Sequence, residues 1–460
     1  MNVALILTPS YNPDKPPLSL AYLKSYNQRD DINIKCFDLN IDLYSRVSDL
    51  NKKFWNSGNV SSWMDKEKLD SLDFIDDRII SLWTNEIMAF NPRIVGFSVY
   101  STNLILALKI SKKIKEASKD VFILFGGPGI FTYRSNSDAC FLDPVDATIL
   151  GEGEELLRKV IESVDNKGFI MPAPSILIRR EKYFMEKEES TFLIENLDEI
   201  PFPDYDDFDL KKYKEPGQLP LLFSRGCVGK CAFCYETVFW RKFRSRRAET
   251  VIKEINHLLN KYDNRIFNFS FNDSLINGDI KVLETFCNII IENKMNIGWW
   301  GMARIDTRMD RDFIKKMIEA GCKSLAYGIE SGSQKVLDLM GKRYTLKDIE
   351  KSIVNTYEAG IKPGISLLVG FPGEDEEDFN MTCSLVKKLG KYLSYVNIAP
   401  LGIIPGTLVD RNKEKLGLHV EDSINWGTSD GKNTLEVRID RVNILADIAN
   451  EYVGKVSAFE

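Results

Sequence analysis

Short apolar runs alternate with amphipathic helical patterns in two long blocks of this 460-residue chain. In the first block, residues 1–165, apolar runs such as Val3–Leu7, Ile94–Tyr100 and Val121–Phe125 are each followed by a helical pattern. Parallel strands need a long crossover between them, so this alternation predicts an α/β domain built on a doubly wound parallel sheet of the Rossmann type. Ligands of such sheets bind beyond the carboxyl ends of the strands.

Polar residues and glycines follow the predicted strands of the first block. Glycine lets a backbone approach a ligand closely, and polar side chains at this edge can orient it. The candidate contacts are Pro9, Tyr11, Ser98, Tyr100, Asn103, Gly126, Gly127, Gly151, Glu152 and Gly153.

The second block, residues 219–409, holds six further strand–helix units. A full eight-unit barrel needs about 250 residues, so the shorter block predicts an open or partial (β/α)6 barrel. The Pro- and Asp-rich residues 166–218 predict an extended connector, and residues 410–460 predict a short C-terminal cap. The basic run Arg241–Arg247 is expected to form a solvated face or to supply charges at the start of the next helix, with a subsite for an anionic substrate as the alternative.

The chain has only two histidines, His257 and His419, but eight cysteines. A three-histidine metal site is therefore excluded, and metal chemistry falls mainly to cysteine. Cys227, Cys231 and Cys234 form a C-x3-C-x2-C pattern directly after the first barrel strand, at the end where barrel sites lie. Three thiolates can hold an iron–sulfur cluster with one open iron, whereas a closed zinc site would need a distant fourth ligand.

The cysteine motif is one of nine short sequence stretches that occur in a fixed order along the chain. With them the sequence resembles the radical S-adenosylmethionine (SAM) superfamily, and within it the subgroup with an N-terminal cobalamin-binding domain. The matching stretches are Pro16–Leu23, Val95–Asn103, Leu124–Gly129, Leu150–Glu155, Pro201–Leu210, Ser224–Glu236, Gly328–Ser333, Leu367–Glu374 and Pro400–Thr407.

The resemblance implies that Cys227, Cys231 and Cys234 hold a [4Fe-4S] cluster whose open iron binds the amino and carboxylate groups of SAM. Phe233 would then pack near the adenine, and the backbone around Tyr235 would contact the adenine edge. Reductive cleavage of SAM to a 5′-deoxyadenosyl radical needs no protein acid or base, so no catalytic side chain is expected.

Other SAM contacts are expected at the ends of the later barrel strands. The Gly-Gly-Glu motif that often holds the methionyl amine is absent, and Asp273 and Ser274 stand there instead. Arg304 is expected near the methionyl carboxylate, with a salt bridge to Asp306 as the alternative.

The last two barrel strand ends complete the expected SAM site. Glu330 and Ser331 look like ribose or methionyl contacts, although Ser331 could instead cap the helix that follows. Gly370 and Pro372 would let the backbone approach the adenine.

The first block lacks the D-x-H-x-x-G motif through which many cobalamin domains bind cobalt. The resembled subgroup commonly binds cobalamin without a protein histidine, so cobalamin remains the expected ligand. A domain kept only for architecture, with an empty pocket, is the alternative.

Together these features imply a cobalamin-dependent radical SAM methyltransferase acting on an unactivated carbon. The alternatives are an enzyme of the same build that forms, cyclises or rearranges carbon bonds without methyl transfer, and a non-catalytic cofactor-binding module. The substrate stays open among small metabolites, lipids and peptides, and the resemblance implies an external electron donor such as a flavodoxin or ferredoxin. With net charge −6 and no long apolar run, we expect no nucleic-acid partner, no membrane span and a cytoplasmic location.

Overall fold

The computed structural model describes residues 1–56, 59–133, 143–171, 173, 175–178, 192–262 and 266–458. The chain divides into two compact units, Met1–Pro216 and Gly217–Glu460. No helix in the described ranges is both long and apolar enough to span a bilayer.

The first unit is a doubly wound α/β domain. Its sheet has the order β2-β1-β3-β4-β5-β6, and every neighbouring pair is parallel except the last. Strands buried on both faces between helices account for the continuous apolar runs of the sequence. The strands are β1 (Asn2–Leu7), β2 (Asn33–Asp38), β3 (Ile94–Ser98), β4 (Phe122–Gly126), β5 (Ala147–Ile149) and β6 (Ile176–Ile178). The helices are α1 (Leu18–Asn27), α2 (Leu39–Arg46), α3 (Lys66–Asp70), α4 (Asp77–Ala89), α5 (Leu104–Ala117), α6 (Pro128–Tyr133) and α7 (Gly153–Lys167).

The acidic part of the connector packs along the edge strand β2. Asp207 accepts hydrogen bonds from the Cys36 backbone N–H at 2.8 Å and from the Lys24 ammonium at 2.8 Å. The Tyr213 hydroxyl donates to Asp38 at 2.7 Å. These contacts cover a sheet edge whose backbone groups would otherwise stay unpaired.

The second unit is a curled parallel sheet flanked by helices. Its order is β17-β14-β13-β12-β11-β10-β7, so the expected barrel strands are neighbours in chain order. The strands are β7 (Gln218–Leu221), β8 (Ser224–Arg225), β9 (Arg244–Ser245), β10 (Asn268–Phe271), β11 (Gly298–Ala303), β12 (Cys322–Glu330), β13 (Gly364–Val369), β14 (Tyr395–Pro400), β15 (Leu418–Val420), β16 (Trp426–Thr428) and β17 (Val456–Ala458). The helices are α8 (Glu236–Phe239), α9 (Ala248–Lys261), α10 (Ile280–Glu292), α11 (Arg311–Glu319), α12 (Gln334–Leu339), α13 (Leu346–Ala359), α14 (Glu376–Leu389), α15 (Leu408–Arg411) and α16 (Leu435–Tyr452).

Both halves of the predicted α/β architecture are therefore confirmed. The tail does more than cover the barrel, because β17 pairs in parallel with β14 and extends the sheet by one strand. All seven strands of the large sheet run in the same direction, so their carboxyl ends meet at one edge.

The cysteine loop (residues 226–243) leaves that edge and is closed at its base by the antiparallel pair β8–β9. Just beyond it, the Arg246 guanidinium forms an ion pair with Glu254 of α9 at 2.6 Å, and both side chains are almost completely buried. Arg246 also donates to the Leu222 carbonyl at 3.0 Å. The expectation of a solvated basic face is wrong for Arg244 and Arg246, which are buried beneath the loop.

Replacing Glu254 by Leu should lower the free energy of unfolding by about 3–5 kcal/mol, because Arg246 would remain buried without its carboxylate. The double variant Arg246→Met/Glu254→Leu should regain much of this loss, since the buried charges disappear together. Chemical denaturation of the full chain measures both. Lys388→Met is the control, because it breaks an exposed pair with Glu350 and should cost at most about 1 kcal/mol. A Glu254→Leu loss no larger than this control would contradict the account.

Candidate functional site

The three clustered cysteines lie between β8 and α8, at the carboxyl edge of the barrel sheet. All three are free, half-buried thiols. Gly229 lies between two of them: a Cβ on this glycine would stand 3.3 Å from the Cys227 sulfur and 3.7 Å from the Cys231 sulfur. Its backbone N–H donates to the Cys227 sulfur at 3.3 Å.

The three thiols do not form a site for a single metal ion. Within the described ranges, no group of three or more His, Cys, Asp or Glu side chains could hold a single metal ion. Burial raises the pKa of Cys227, and it raises that of Cys234 to about 12. In a cubane cluster each thiolate binds a different iron, so three separated thiols in one loop fit a cluster better than a mononuclear ion.

Two distant segments hold the cysteine loop in place. The Ala232 N–H donates to the Met340 carbonyl at 2.9 Å, and the Ala232 carbonyl accepts from the Val409 N–H at 3.0 Å. The Phe233 ring lies edge-on to Phe371, with 6.4 Å between ring centroids. The loop is thus seated against the ends of α12 and β13 and the start of α15.

Arg304 stands beside this loop at the end of β11. Its backbone is held on both sides by the Asn277 amide, at 3.0 Å and 2.9 Å. The guanidinium Nη1 is 4.0 Å from where a Cβ on Gly229 would be, and its charge acts to lower the pKa of Cys227 against the effect of burial. The alternative partner Asp306 is bound by Arg308 at 2.6 Å, and no described carboxylate pairs with Arg304.

Asp273, which was expected near the methionyl amine, hydrogen-bonds to residues just before the cysteine loop. Its buried carboxylate accepts the Phe223 N–H at 2.9 Å, the Ser224 hydroxyl at 2.6 Å and the Ser224 N–H. Burial raises the pKa of Asp273 to about 7. The side chain fixes the strand that enters the cysteine loop, so its oxygens are engaged within the protein.

Ser274 does reach the cysteine loop, but its partner is a residue that the sequence analysis missed. Its hydroxyl donates to the carboxylate of Glu236, the first residue of α8. The signal was present in the sequence, because Glu236 follows the Cys-Tyr pair directly. Adjacency alone could not show that it meets the end of β10.

Glu330 is a non-glycine residue with positive φ (+67°), and a register shift lies beside it in the β12–β13 ladder. Its Oε1 accepts from the Lys342 ammonium at 2.8 Å, and the same ammonium donates to the Gly328 carbonyl at 3.2 Å. Burial acts to lower the pKa of Lys342, but the Glu330 carboxylate raises it well above its ordinary value. The ammonium is 5.7 Å from the Phe233 ring centroid, so Lys342, which carried no sequence signal, belongs to this site.

Ser331 neither faces open space nor caps α12. Its fully buried Oγ accepts from the Ser333 N–H at 3.1 Å and lies 3.3 Å from the Thr382 hydroxyl. The cap is Ser333, whose side chain accepts from the Val336 N–H. The alternative reading of Ser331 as the helix cap is therefore wrong.

Gly370 is needed for packing rather than for approach to a ligand. It has φ +81°, and a Cβ there would lie 2.4 Å from Cγ and Cδ of Arg438 on α16. Glu374 accepts its N–H at 2.6 Å, and the Asn433 amide donates to its carbonyl at 2.9 Å. The Gly370 N–H and carbonyl are thus already hydrogen-bonded within the protein, Pro372 lies buried in the same turn, and the adenine contact expected at these two residues stays a prediction.

In the first unit, Tyr11 and Tyr100 meet at the carboxyl edge of the sheet, with ring centroids 5.1 Å apart. Tyr100 hydrogen-bonds to Tyr11 and Ser98. Asn103 is completely buried: its amide donates to the Thr8 and Ser98 carbonyls at 3.3 Å and 3.1 Å and accepts the Tyr100 N–H at 2.8 Å. These residues form a hydrogen-bonded floor at the strand ends.

Most of the glycines at this edge lie close to backbone or side-chain atoms of neighbouring segments. A Cβ on Gly127, which has φ +103°, would lie 2.8 Å from the Val99 carbonyl oxygen, and one on Gly153 would lie 3.2 Å from Leu23. Gly126 pairs with Ser98 in the sheet. Gly151 bridges to Phe192, Glu152 accepts the Ile194 N–H, and Pro9 is buried just after β1.

Two buried polar atoms at the same edge lack a partner among the described residues. They are the Ser10 hydroxyl and the Asn40 side-chain nitrogen. Asn40 uses its oxygen to accept the Tyr11 N–H at 2.9 Å and the Trp55 indole N–H at 2.7 Å. Buried polar atoms without partners are rare, and here they lie at the edge where a ligand of this fold binds.

Comparisons with known proteins place the cysteine loop in a family. Residues 221–386 match the Radical SAM superfamily. The chain is 28% identical to an uncharacterized methyltransferase of Pyrococcus horikoshii over 419 residues, which cover 88% of this chain and 82% of that protein. It is 26% identical to the anaerobic magnesium-protoporphyrin IX monomethyl ester cyclase of Rubrivivax gelatinosus, over 66% of this chain and 55% of the cyclase.

A solved structure shares the fold over most of this chain. It is the radical SAM methyltransferase TsrM from Kitasatospora setae, solved with cobalamin and a [4Fe-4S] cluster bound. The TM-score is 0.65 at 16% identity, covering 92% of this chain and 78% of that one. At this identity the likeness shows the fold.

Gly370→Ala should lower the free energy of unfolding by about 2–4 kcal/mol, because the new methyl group adds positive-φ strain to a clash with Arg438. Gly431→Ala is the matched control, since Gly431 also has positive φ (+68°) but open space around it. Gly431→Ala should lower the free energy of unfolding by only about 1 kcal/mol. Equal losses in thermal or chemical denaturation would contradict the packing role of Gly370.

Glu374 should make stability fall as the pH rises from about 4.5 to about 7. Burial raises its pKa to about 7 in the folded chain, so over this range the folded state binds more protons than the unfolded state. The expected slope is at most about 1.4 kcal/mol per pH unit. The difference in unfolding free energy between wild type and Glu374→Gln, measured across this range, isolates it. A difference that is constant with pH would be the contrary result.

Proposed function

We propose that this chain, whose residues 221–386 match the Radical SAM superfamily, is a cobalamin-dependent methyltransferase that methylates an unactivated carbon. The observation that carries the proposal is a loop with three free thiols at the carboxyl edge of a partial barrel, in which Gly229 lies beside the Cys227 and Cys231 sulfurs and the Arg304 guanidinium. The methyltransferase name of the Pyrococcus horikoshii relative supports the reaction class.

Cys227, Cys231 and Cys234 would hold the [4Fe-4S] cluster. When bound, this cluster supplies the electron that cleaves SAM to a 5′-deoxyadenosyl radical. The residues around it bind and orient SAM: Arg304 offers a guanidinium to the methionyl carboxylate, and the half-buried Phe233 ring offers an apolar face to the adenine.

Glu330 would accept hydrogen bonds from the ribose. Lys342 occupies one of its oxygens and neutralises its charge. A carboxylate of this kind suits neutral donors such as the ribose hydroxyls better than a second cation. Both histidines of the chain are exposed, in keeping with a reaction that needs no protein acid–base group.

The first unit would hold cobalamin, which supplies the methyl group when bound. The unit contains no histidine, so the cobalt would have no protein imidazole on it. The Ser10 hydroxyl and the Asn40 amide nitrogen fit a ligand that, like a corrin, carries many amide groups. Tyr11 and Tyr100 add an aromatic surface at the same edge.

The remaining expectations belong to the same proposal. The cluster would receive its electron from an external donor such as a flavodoxin or ferredoxin in the cytoplasm. The methyl acceptor would be a small metabolite, lipid or peptide.

A second reaction has one observation in its favour. The Rubrivivax gelatinosus relative is a cyclase, and a chain of this build could likewise form or rearrange bonds with the radical alone. That reaction would yield 5′-deoxyadenosine without S-adenosylhomocysteine, whereas methylation by radical abstraction yields both.

Protein produced with iron, sulfide and cobalamin should show the visible absorption of both cofactors, and on reduction it should convert SAM to 5′-deoxyadenosine. Alanine at Cys227, Cys231 or Cys234 should abolish the cluster absorption and the cleavage but leave bound cobalamin unchanged. Cys383→Ala, at a buried cysteine outside the loop, is the control and should keep both. A cluster that survives loss of one loop cysteine would contradict the ligand assignment.

Products formed with the true substrate decide between the two reactions. Equal amounts of S-adenosylhomocysteine and 5′-deoxyadenosine per product are expected for methylation. Product formation with 5′-deoxyadenosine alone would replace the methyltransferase proposal by the second reaction.

A further inference from the structure

The end of β10 lacks an available carboxylate of its own. In radical SAM proteins this is where a Gly-Gly-Glu motif often meets the methionyl amine, and this chain has no such motif. The nearest sequence candidate, Asp273, is buried and accepts hydrogen bonds from Phe223 and Ser224. The Asp273 oxygens are therefore already engaged within the protein, which directs attention to carboxylates on other elements.

Glu236 brings a carboxylate to this place from the cysteine loop. It is the first residue of α8, two positions after Cys234, and its backbone N–H hydrogen-bonds to the Cys234 sulfur. Its side chain receives the hydroxyl hydrogen bond of Ser274, the residue after Asp273. The Glu236 carboxylate thus lies where the cysteine loop and the end of β10 meet.

The contacts of this carboxylate are all with neutral groups. Besides Ser274, the Trp240 side chain hydrogen-bonds to it, and no Lys, Arg or His of the described ranges forms an ion pair with it. A carboxylate can accept about four hydrogen bonds, so capacity remains for another donor.

A half-buried carboxylate without a cation is costly, and here it stands beside thiols that become anionic when they bind iron. A positively polarised N–H donor relieves both the desolvation and the repulsion. The amine of SAM is such a donor, because an amine bound to iron keeps acidic N–H groups and needs an acceptor for them.

We propose that Glu236 accepts the N–H groups of the methionyl amine of SAM and so replaces the missing Gly-Gly-Glu motif. The inference rests on the proposed function, since it takes SAM as the ligand. It assigns Ser274 a positioning role, because its hydroxyl holds the Glu236 carboxylate at the end of β10.

The test is a binding cycle on the cluster-loaded full chain. Wild type and Glu236→Gln are each titrated with SAM and with the analogue in which a hydroxyl replaces the α-amino group. Glu236→Gln keeps the size of the side chain and removes its charge. Loss of a charged hydrogen bond corresponds to about a tenfold to hundredfold change in Kd. We expect SAM to bind at least about tenfold more weakly to Glu236→Gln, while the analogue binds both proteins within about twofold.

Two further variants separate this role from a structural one. Glu236→Asp keeps the charge and should retain part of the preference for SAM over the analogue. Glu249→Gln removes an exposed carboxylate from the first turn of α9 and should leave both Kd values unchanged. Affinities are referred to the cluster-loaded fraction, measured by iron and sulfide content.

Equal weakening of SAM and the analogue in Glu236→Gln would overturn the assignment, because the effect would not depend on the amine. Unchanged SAM binding would also overturn it, and so would a Glu236→Gln protein that cannot assemble a cluster, since Glu236 would then be part of the loop architecture. If wild type loads no cluster or binds no SAM, the proposed function itself fails, which is a separate outcome.

Discussion

The buried carboxylate of Asp273 ties the start of the cysteine loop to the end of β10. It accepts two backbone N–H groups, from Phe223 and Ser224, and the Ser224 hydroxyl, so the entry to the loop has one fixed position. The Arg246–Glu254 pair holds the exit from the loop against α9. Buried charged side chains therefore hold both ends of the loop that carries the three thiols.

The later strand ends are held by different means. At β12, Lys342 holds the positive-φ residue Glu330 and lies near the Phe233 ring. At β13, Arg438 fills the space beside Gly370, and Arg441 pairs with Glu374 at 2.9 Å. Helix α16 thus supports the turn that follows β13, which gives the C-terminal residues a role in shaping the edge of the barrel where the site lies.

Most of the fold could be predicted from local patterns in the sequence. Apolar runs and helical periodicity report burial directly, so the two parallel sheets and the partial barrel could be predicted. The cysteine spacing is equally local, because all three thiols belong to one short loop. The strand β17 could not be foreseen, since three residues at the end of a helix carry no distinctive pattern.

Side-chain partnerships were harder to predict because they depend on contacts between distant segments. Asp273 and Glu236 are both acids beside the expected site, but only the folded chain shows that the first bonds to backbone and the second meets Ser274. The sequence around Gly370 indicated a glycine that lets the backbone approach a ligand. Only the folded chain shows that Arg438, far away in sequence, packs against it. Lys342 belongs to no recognisable motif. It reaches Glu330 because the chain reverses direction after α12.

The central claim is that the three loop thiols hold a cluster whose remaining iron is open to SAM. Electron–nuclear double resonance of the reduced, cluster-loaded protein with SAM carrying ¹⁵N at the amino group tests it most directly. A ¹⁵N coupling large enough to report nitrogen bonded to iron is expected, and it should be lost when SAM is omitted. A reduced cluster with bound SAM and no such coupling would contradict it.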